Sequence, residues 1–470
     1  MSDSFSLYSP DFPNDYCGRF APSPSGHLHL GSLFTAYAAY WRSLEQHGTF
    51  LIRIEDLDFP RCPRPNIPLL CQELQLFGLH SDKKVRVQSE HLGEYHRSIQ
   101  TLLSNDFAYF CTCTRAQSKE QPCTCWMSNK QARIRTKITL DPDTPHSCKV
   151  NITPYLESEE LQSFTDANLG VVRQSDLEHS LNPYLTLERA DGIIAYNLAV
   201  VIDDIEQEIT EVVRGADMLD ATFLQLPLYE LDSVEPPVFC HIPLITDSSG
   251  RKLSKQNHAP AVFADYTPRT STLLCLQLLQ ESVYHELLQQ EDVVTLLQDL
   301  EQCEESLTAL ITDEVSTTVQ KKLKAQLRKL APKEKDEALA LLTPTGLTNM
   351  LLLVATQTQQ AEQAAQREDD YFLDEYDDDD DEWADEDDGA SSSDSGRENW
   401  PQVYYEGIAT GTYGPWSKLL ALWSRALGEA SWQQAQELTA TYYALLMRLH
   451  TEVIGPHFQV HALPKKPIVL

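Results

Sequence analysis

Apolar residues follow strand-like and then helix-like spacing from the start of the chain. The extended run Tyr16–Ala21 gives way to prolines and a turn at Gly26, and a helix is predicted from about Leu30 to Gly48. The compact apolar run Phe50–Ile54 then predicts a buried strand. The apolar positions of the predicted helix are Leu33, Phe34, Tyr37, Trp41 and Leu44. This succession of strand, helix and strand favours an α/β fold with a parallel sheet.

Later segments continue the pattern. Strand-rich runs are predicted over Ala190–Asp204 and Ile209–Asp217, with Tyr196 in either a helix or a strand. Near the end of the chain, apolar residues predict two amphipathic helices, one around Leu419–Leu427 and one around Tyr442–Leu449.

A basic helix is predicted over Thr317–Leu342, which carries several lysines and arginines. Such a helix could contact RNA phosphates. An ordinary solvated helix face explains the same pattern equally well.

The turn at Pro22–Gly26 is the first candidate functional element. A tight turn between a strand and a helix aims backbone N–H groups and the positive helix end at a bound anion. His29, Gly31 and Ser32 follow, placing an imidazole and a hydroxyl beside a glycine that lets a phosphate approach the backbone. The alternative is an ordinary Pro/Gly loop before a helix, but the whole run Cys17–Leu33 favours the phosphate site.

Charged residues follow the two predicted strands. Glu55, Asp56 and Asp58 come directly after Phe50–Ile54, and ligands of open α/β sheets bind at the carboxyl edge of the strands. We therefore expect Arg19 and Glu55 to converge on one crevice, against the alternative of a solvated strand end. Arg214 follows the second strand in the same way and, with Tyr196, suits a substrate carboxylate, although a lone arginine is more often a surface charge.

A glycine turn, Asp247–Gly250, precedes Lys252 and Lys255. Two lysines three residues apart on a hinged loop, with a serine between them, suit the stabilisation of charge on a transferring phosphoryl group.

Four cysteines form two C-x-C pairs. Tetrahedral zinc takes four Cys or Cys/His ligands, so Cys111, Cys113, Cys123 and Cys125 are candidate metal ligands. Cys148 or His146 could replace one of them, and four small apolar side chains that cluster by chance are the alternative.

Charge is distributed unevenly over the 470 residues. The net charge is −33, and Glu368–Glu398 alone contains seventeen acidic residues and one arginine. Such a run is normally solvated and disordered, so it says little about the folded part of the chain.

Cysteine usage and hydropathy indicate the cellular compartment of the protein. The eleven cysteines are an odd number, residues 1–15 do not resemble a signal peptide, and no apolar run reaches membrane-spanning length. These features predict a soluble cytoplasmic protein with reduced thiols that does not bind membranes.

Two motifs resemble the signatures of class I aminoacyl-tRNA synthetases: His29–Ser32 resembles the first and Lys252–Lys255 the second. With their surroundings they resemble the glutamyl-tRNA synthetase catalytic core. Three details are similar to the glutamyl-queuosine tRNA(Asp) synthetases within that family: Ser32, the Cys111–Arg115 run and Gln256–Pro260. The other matching segments are Arg53–Asp58, Gln88–Glu90, Asp191–Asp204 and Val213–Asp217.

The resemblance implies a Rossmann-like core, split by a zinc-bearing insertion and followed by a helical, partly disordered acidic C-terminal insertion. It also implies activation of glutamate with ATP and Mg²⁺, and transfer to queuosine in the anticodon of tRNA(Asp). The implied zinc set is three cysteines and one tyrosine; Gln121 stands at the tyrosine position, and Cys123 takes its place.

Residue roles carry over by motif. The implied catalytic residues are His29, Ser32, Lys252 and Lys255, and the implied ATP contacts are His29, Gly31, Ser32 and Lys255. Glutamate would bind Arg19, Phe20, Ala21, Pro22, Ser23, Glu55, Tyr196 and Arg214, with Glu55 facing the ammonium and Tyr196 and Arg214 a carboxylate.

The predicted organisation has seven parts. They are a flexible N-terminus (1–15), the first half of the core (16–90), the inserted subdomain (91–190), the second half (191–262), a helical tail (263–300), an extra helical insertion (301–455) with an acidic loop at about 366–398, and a C-terminal tail (456–470). We expect a monomer. The rival functions are a conventional glutamyl-tRNA synthetase that charges a tRNA 3′ end, and a degenerate synthetase that acts as a sensor or scaffold.

Overall fold

A seven-stranded sheet organises the fold. The computed structural model describes residues 16–113, 117, 125–126, 146–253, 260–279, 282–327, 342–356, 419–460 and 463–470. The sheet has the order β3-β2-β1-β9-β10-β6-β7, and every neighbouring pair is parallel except β6 and β7. Its strands are β1 (Cys17–Phe20), β2 (Thr49–Ile54), β3 (Arg86–Val87), β6 (Ser163–Asp166), β7 (Gly170–Arg173), β9 (Glu211–Gly215) and β10 (Val238–Ile242).

The buried strands predicted after the opening helix and near Arg214 are confirmed. β2 lies beside β1, with Arg19 opposite Leu51, and β9 lies between β1 and β10. Because these strands are parallel, their carboxyl ends meet at one sheet edge. That edge carries the residues that follow β1, β2 and β9.

Helices cover the sheet. The predicted first helix is confirmed as α1 (Leu30–Glu45); Leu33, Phe34, Tyr37 and Trp41 are buried in the main hydrophobic core, and Leu44 is half-buried against it. Among the described residues before 290, the other α-helices with defined bounds are α2 (Asn66–Leu76), α3 (Leu92–Ser104), α4 (Thr153–Leu156), α5 (Tyr196–Glu206), α6 (Leu219–Asp232), α7 (Val262–Asp265), α8 (Pro268–Leu278) and α9 (Ser282–Leu287).

The prediction of a strand-rich run over Ala190–Asp204 is wrong. Residues Tyr196–Glu206 form α5, whose middle residues are buried against the sheet. A short continuous apolar run bounded by turns is compatible with a strand or with a buried helix, so periodicity alone does not separate them.

The segment predicted as an insertion, 91–190, divides between two sheets. Strands β4 (Ala108–Cys111), β5 (Ser147–Asn151) and β8 (Tyr184–Glu188) form an antiparallel sheet of their own. The hairpin β6–β7 instead extends the main sheet, since β6 pairs with β10. The boundaries of the seven predicted parts stay predictions.

The C-terminal helices share the main hydrophobic core with α1 and α2. They are α10 (Glu291–Leu310), α11 (Asp313–Leu327), α12 (Leu419–Leu427) and α13 (Glu429–Arg448), with a further helical stretch at 344–356. The two predicted amphipathic helices are thus confirmed. The predicted basic helix begins at Asp313 rather than Thr317. Its part after Leu327 and the acidic loop at 366–398 lie outside the described residues, which omit 328–341 and 357–418.

Several contacts join the last part of the chain to the core, and two of them involve α1 and the strand before Lys252. Trp41 on α1 donates a hydrogen bond from its indole Nε1 to Nδ1 of buried His450, at 2.8 Å. Strand β12 (Ile468–Val469) pairs in parallel with β11 (Ile245–Thr246), directly before the loop that carries Lys252. Residues Ile468–Val469 therefore pack beside the strand that leads to Lys252.

Among the described helices, none is long and apolar enough to span a bilayer.

Candidate active site

The loop between β1 and α1 is held by a carboxylate of α2. Buried Glu73 accepts a hydrogen bond from the backbone N–H of Leu28 at 2.8 Å and contacts Nδ1 of His27. The amide of Asn66 donates to the carbonyl of Pro24 at 3.0 Å. These contacts hold the loop directly before the first signature at two points. Sequence reasoning did not anticipate Glu73.

His29 caps the helix that begins at Leu30. Its Nδ1 accepts a hydrogen bond from the backbone N–H of Ser32 at 3.2 Å, and its Nε2 lies 3.0 Å from the Ser32 hydroxyl. Four N–H groups of the first helical turn lack intrahelical acceptors, so this end of α1 suits an anion. The turn predicted from the sequence is therefore present, with the imidazole and the hydroxyl in contact.

The two signatures lie next to each other. A Cβ placed on Gly31 would come within 3.7 Å of the carbonyl oxygen of Leu253, and Val262 donates its N–H to the carbonyl of Leu28 at 2.9 Å. Lys252 forms an ion pair with Asp217 at the start of the loop. Lys255, the other predicted lysine, lies outside the described residues, which stop at 253 and resume at 260.

A buried charge network lies under the sheet edge. Asp204 on α5 forms an ion pair with Arg19 at 3.0 Å and with Arg53 at 2.7 Å. Asp203, the preceding residue, lies 3.6 Å from Arg53 and holds Arg86 at 2.8 Å. Burial opposes ionisation of Asp204, but the two arginines outweigh it and lower the pKa of that carboxyl. Arg19 and Arg53 thus have protein counter-charges.

Glu55 has a weaker counter-charge. Its backbone N–H donates to the carbonyl of Pro22 at 3.0 Å, which ties the end of β2 to the first signature. Its carboxylate is buried, and its ion contact with Arg53 is long at 3.7 Å. Burial raises the pKa of Glu55 to about 7, although Arg53 and Arg19 act in the opposite direction.

Arg214 is a buried cation that bonds only to neutral groups in the described part of the chain. Its Nε donates to Nε2 of His241 at 3.2 Å, Nη1 to Oε1 of Gln225 at 3.0 Å and Nη2 to Oγ1 of Thr222 at 2.6 Å. It is 6% exposed, and its guanidinium lies 5.2 Å from the Phe239 ring centre. Burial lowers the pKa of Arg214, and nearby Arg19 lowers it further. A buried guanidinium without a carboxylate suits an anionic ligand.

Tyr196 is the exposed member of this group and interacts electrostatically with Glu55, Arg214 and Arg19. The residue is 41% exposed. The pKa of its phenol is nevertheless raised, first by burial and then by Glu55, while Arg214 and Arg19 lower it. The fold therefore brings together Arg19, Glu55, Tyr196 and Arg214, as the strand-edge pattern predicted.

The remaining predicted glutamate residues differ in what they can present. The side chains of Phe20 and Pro22 are buried, Phe20 in the main core, while Ala21 is half-buried and Ser23 exposed. Gly31 and Ser32 are half-buried beside His29.

Three of the four predicted metal ligands lie together. The sulfur atoms of Cys111, Cys113 and Cys125 are all within 4.8 Å of one another, and those of Cys113 and Cys125 are 3.5 Å apart. This cluster could hold a metal ion. Cys123 lies outside the described residues, and neither Cys148 nor His146 belongs to the cluster found among the described ones.

Sequence reasoning missed the groups that hold Arg214. His241, Asp166, Thr222 and Gln225 are all buried. The available signal was a histidine inside the apolar strand run Val238–Ile242, since a buried polar side chain usually has a specific partner.

The chain matches the family model described as tRNA synthetases class I (E and Q), catalytic domain, over residues 17–324. It therefore belongs to the class I tRNA synthetases of the E and Q type. The family indicated by the two signatures is thus confirmed.

Within this family, the chain is similar to proteins that share one name. The chain is 39% identical over 277 residues to "Glutamyl-Q tRNA(Asp) synthetase" of Vibrio parahaemolyticus, a match that covers 58% of this chain and 87% of the relative. It is 42% identical over 251 residues to the protein of the same name from Photobacterium profundum, covering 53% and 75%. A solved glutamate-tRNA synthetase from Elizabethkingia anophelis aligns at 27% identity and a TM-score of 0.40, covering 52% of this chain and 53% of that one.

We expect Asp204→Asn to destabilise the fold by about 3–5 kcal/mol, because it leaves buried Arg19 and Arg53 without their shared carboxylate. Urea unfolding measures the change. Asp191→Asn is the matched control: its ion pair with Arg189 is exposed, so it should cost about 1 kcal/mol or less. Equal losses in the two variants would contradict this account of the network.

Proposed function

We propose that the protein activates L-glutamate with ATP and transfers it to the queuosine base in the anticodon of tRNA(Asp). The observation that carries the proposal is the crevice with Arg214 and Glu55. A buried guanidinium that bonds to neutral groups and a buried carboxylate with only a long ion contact share the neighbourhood of Tyr196. In this proposal the guanidinium binds a carboxylate and the carboxylate of Glu55 binds an ammonium, and glutamate carries both groups and a second carboxylate.

Glutamate binds, in this proposal, along the sheet edge. Arg214 and Tyr196 hold a carboxylate, since a guanidinium fork pairs with a carboxylate in a bidentate manner. Glu55 accepts from the ammonium. Arg19 and the backbone of 20–23 line the same edge.

ATP binds at the start of α1. His29 and Ser32 face the phosphates, and Gly31 allows them to approach the backbone. A glutamate α-carboxylate oxygen attacks the α-phosphorus of ATP in line, and pyrophosphate leaves. Lys252 and Lys255 stabilise the charge on the leaving group, while Mg²⁺ enters with the ATP phosphates. Positioning and electrostatics supply the catalysis, and no protein nucleophile is required.

The second step places the anticodon loop over the crevice. Unpaired bases of RNA loops are recognised by stacking and by contacts to their edges. A queuosine hydroxyl then attacks the glutamyl carbonyl, and AMP leaves. The choice of queuosine over the tRNA 3′ end rests on relatives that bear the name glutamyl-Q tRNA(Asp) synthetase and of which this chain covers 75–87%.

Two assays test the proposal. Glutamate-dependent ATP–pyrophosphate exchange is expected with the wild-type chain. Arg214→Lys should raise the glutamate KM by at least about tenfold, because a lysine cannot form the two-point contact. Arg173→Lys, on an exposed edge-strand arginine, is the control and should leave exchange unchanged. Unaltered exchange in Arg214→Lys would overturn the role of Arg214.

Labelled glutamate identifies the acceptor. It should appear in the anticodon loop of tRNA(Asp) and be lost when queuosine is first oxidised with periodate. Label on the 3′-terminal adenosine would instead indicate a conventional glutamyl-tRNA synthetase. No exchange with or without tRNA would leave only a binding or scaffold function.

Glutamate binding should depend on pH through Glu55. Burial raises its pKa to about 7, Arg53 and Arg19 oppose this, and Asp203 and Asp204 reinforce it. Only the ionised carboxylate attracts an ammonium, so the glutamate KM should fall as pH rises from 6 to 8, by up to about tenfold per unit on the acid side.

Exchange kinetics between pH 6 and 8 measure this dependence, with the ATP KM as the internal control. Glu55→Gln should bind glutamate more weakly and show a flat KM over the same range. A flat profile in the wild type would show that Glu55 does not titrate on binding.

The cysteine cluster is proposed to hold one structural zinc ion, with Cys123 as the fourth ligand. Thiolates at a tetrahedral zinc lie about 3.8 Å apart, close to the Cys113–Cys125 separation of 3.5 Å. The Nε1 of Trp126, which packs against the cluster, is buried without an acceptor among the described residues, and a thiolate would provide one. The zinc would close the loop between β4 and β5.

Metal analysis of the purified chain should find about one zinc per molecule. The double variant Cys113→Ser/Cys125→Ser should lose it, whereas Cys71→Ser, on α2 and outside the cluster, should retain it. Full zinc content in the double variant would exclude these ligands.

A monomeric state and a cytoplasmic location stay predictions.

A further inference from the structure

We infer that His241 and Asp166 are positioning residues for the substrate-binding Arg214, with Thr222 and Gln225 completing the set. The inference rests on the proposed function, because it takes the ligand of Arg214 to be a carboxylate of glutamate. It assigns a task to four buried polar side chains that neither signature contains.

Adjacent strands bring the three main groups together. Arg214 on β9 lies opposite His241 on β10, and β10 in turn pairs with β6, where Asp166 is the last residue. Nδ1 of His241 and Oδ2 of Asp166 are 2.6 Å apart, and Nε2 of His241 accepts from Nε of Arg214 at 3.2 Å. The result is a continuous line from carboxylate to imidazole to guanidinium across three strands.

The hydrogen bonds fix the proton on His241. An arginine Nε is always a donor, so Nε2 of the imidazole must be the unprotonated acceptor. The ring proton therefore lies on Nδ1 and is donated to Asp166. Burial lowers the pKa of His241, and the cation of Arg214 lowers it further, both of which favour this neutral form although Asp166 acts against it.

Asp166 is itself held by the backbone. Its Oδ1 accepts N–H groups of Asn168 at 3.0 Å and Leu169 at 2.9 Å, and its Oδ2 accepts the N–H of His241 at 3.0 Å. Asp166 is 2% exposed. Its orientation, and hence that of the imidazole, is set before any ligand binds.

Thr222 and Gln225 fix the other end of the guanidinium. They accept from Nη2 and Nη1, and the amide nitrogen of Gln225 donates to Asn197 at 3.2 Å, which sets the orientation of the amide. Three of the five N–H groups of Arg214 are then used. One N–H remains on each of Nη1 and Nη2, and a carboxylate can accept from both at once.

The imidazole of His241 keeps the carboxylate of Asp166 out of direct contact with Arg214. A carboxylate in direct contact would orient the guanidinium but would also neutralise it and compete with the substrate. Placed beyond the His241 ring, Asp166 fixes the orientation through a neutral acceptor and leaves the charge for the ligand. The direct Asp204 contacts of Arg19 and Arg53 show the other arrangement in the same crevice.

A matched pair of variants tests the inference. In His241→Asn the side-chain amide can still donate to Asp166 but does not reach Arg214. In His241→Gln the amide oxygen can accept from Arg214 Nε. His241→Asn should raise the glutamate KM about tenfold with the ATP KM within about twofold, because a buried donor loses its acceptor. His241→Gln should recover most of the loss, and Asp166→Asn should raise the glutamate KM like His241→Asn.

Thr222→Val keeps the shape of the side chain and removes the hydroxyl that accepts from Nη2 of Arg214 and lies 3.1 Å from Nε2 of His241. It gives the same test should His241→Asn not fold. An unchanged glutamate KM in the folded variants would overturn the inference. A second result would also overturn the inference: both His241 variants raise the KM for glutamate and the KM for ATP equally and lower the Tm by the same amount. That pattern would mark a purely structural role.

Calorimetric binding of L-glutamate separates this inference from the proposed function. Binding that weakens in His241→Asn and recovers in His241→Gln, without exchange in the wild type, would support the positioning role and refute the proposed activity. Binding that is independent of His241 would refute the positioning role alone. A wild-type chain that binds no glutamate would overturn both.

Discussion

Buried charges at the carboxyl edge of the sheet are the constraint on which the site depends. A charge removed from water needs a partner, and α5 supplies two adjacent aspartates that neutralise Arg19 and Arg53. Among the described residues, Glu55 keeps only a long contact with Arg53, and Arg214 bonds to neutral groups. Two of the buried arginines thus have close carboxylate partners, whereas Glu55 and Arg214 are the charges to which we assign the ligand.

Helix α5 contributes both to the buried charge network and to the proposed glutamate site. Tyr196 begins α5 and is exposed, while Asp203 and Asp204 near its other end hold the arginines below. The first signature is fixed to α2 through Glu73, and the second approaches it at Gly31. The two signatures and the buried charge network thus lie at one edge of the sheet.

Local sequence patterns predicted much of this site and missed a defined part of it. The strands ending near Arg19, Glu55 and Arg214 could be predicted because apolar runs followed by charges are local signals. Partners far apart along the chain, such as His241 and Asp166, could not, because their contact arises from strand order. Residues 196–206 were misread because a buried helix and a buried strand share a continuous apolar pattern, and Lys255 stays a prediction.

A crystal structure with bound L-glutamate tests the central claim most directly. The account predicts one glutamate carboxylate accepting hydrogen bonds from both Nη atoms of Arg214 and the ammonium within hydrogen-bond distance of Glu55, with the His241–Arg214 contact retained. Glutamate bound away from this crevice, or bound there without contact to Arg214, would contradict it.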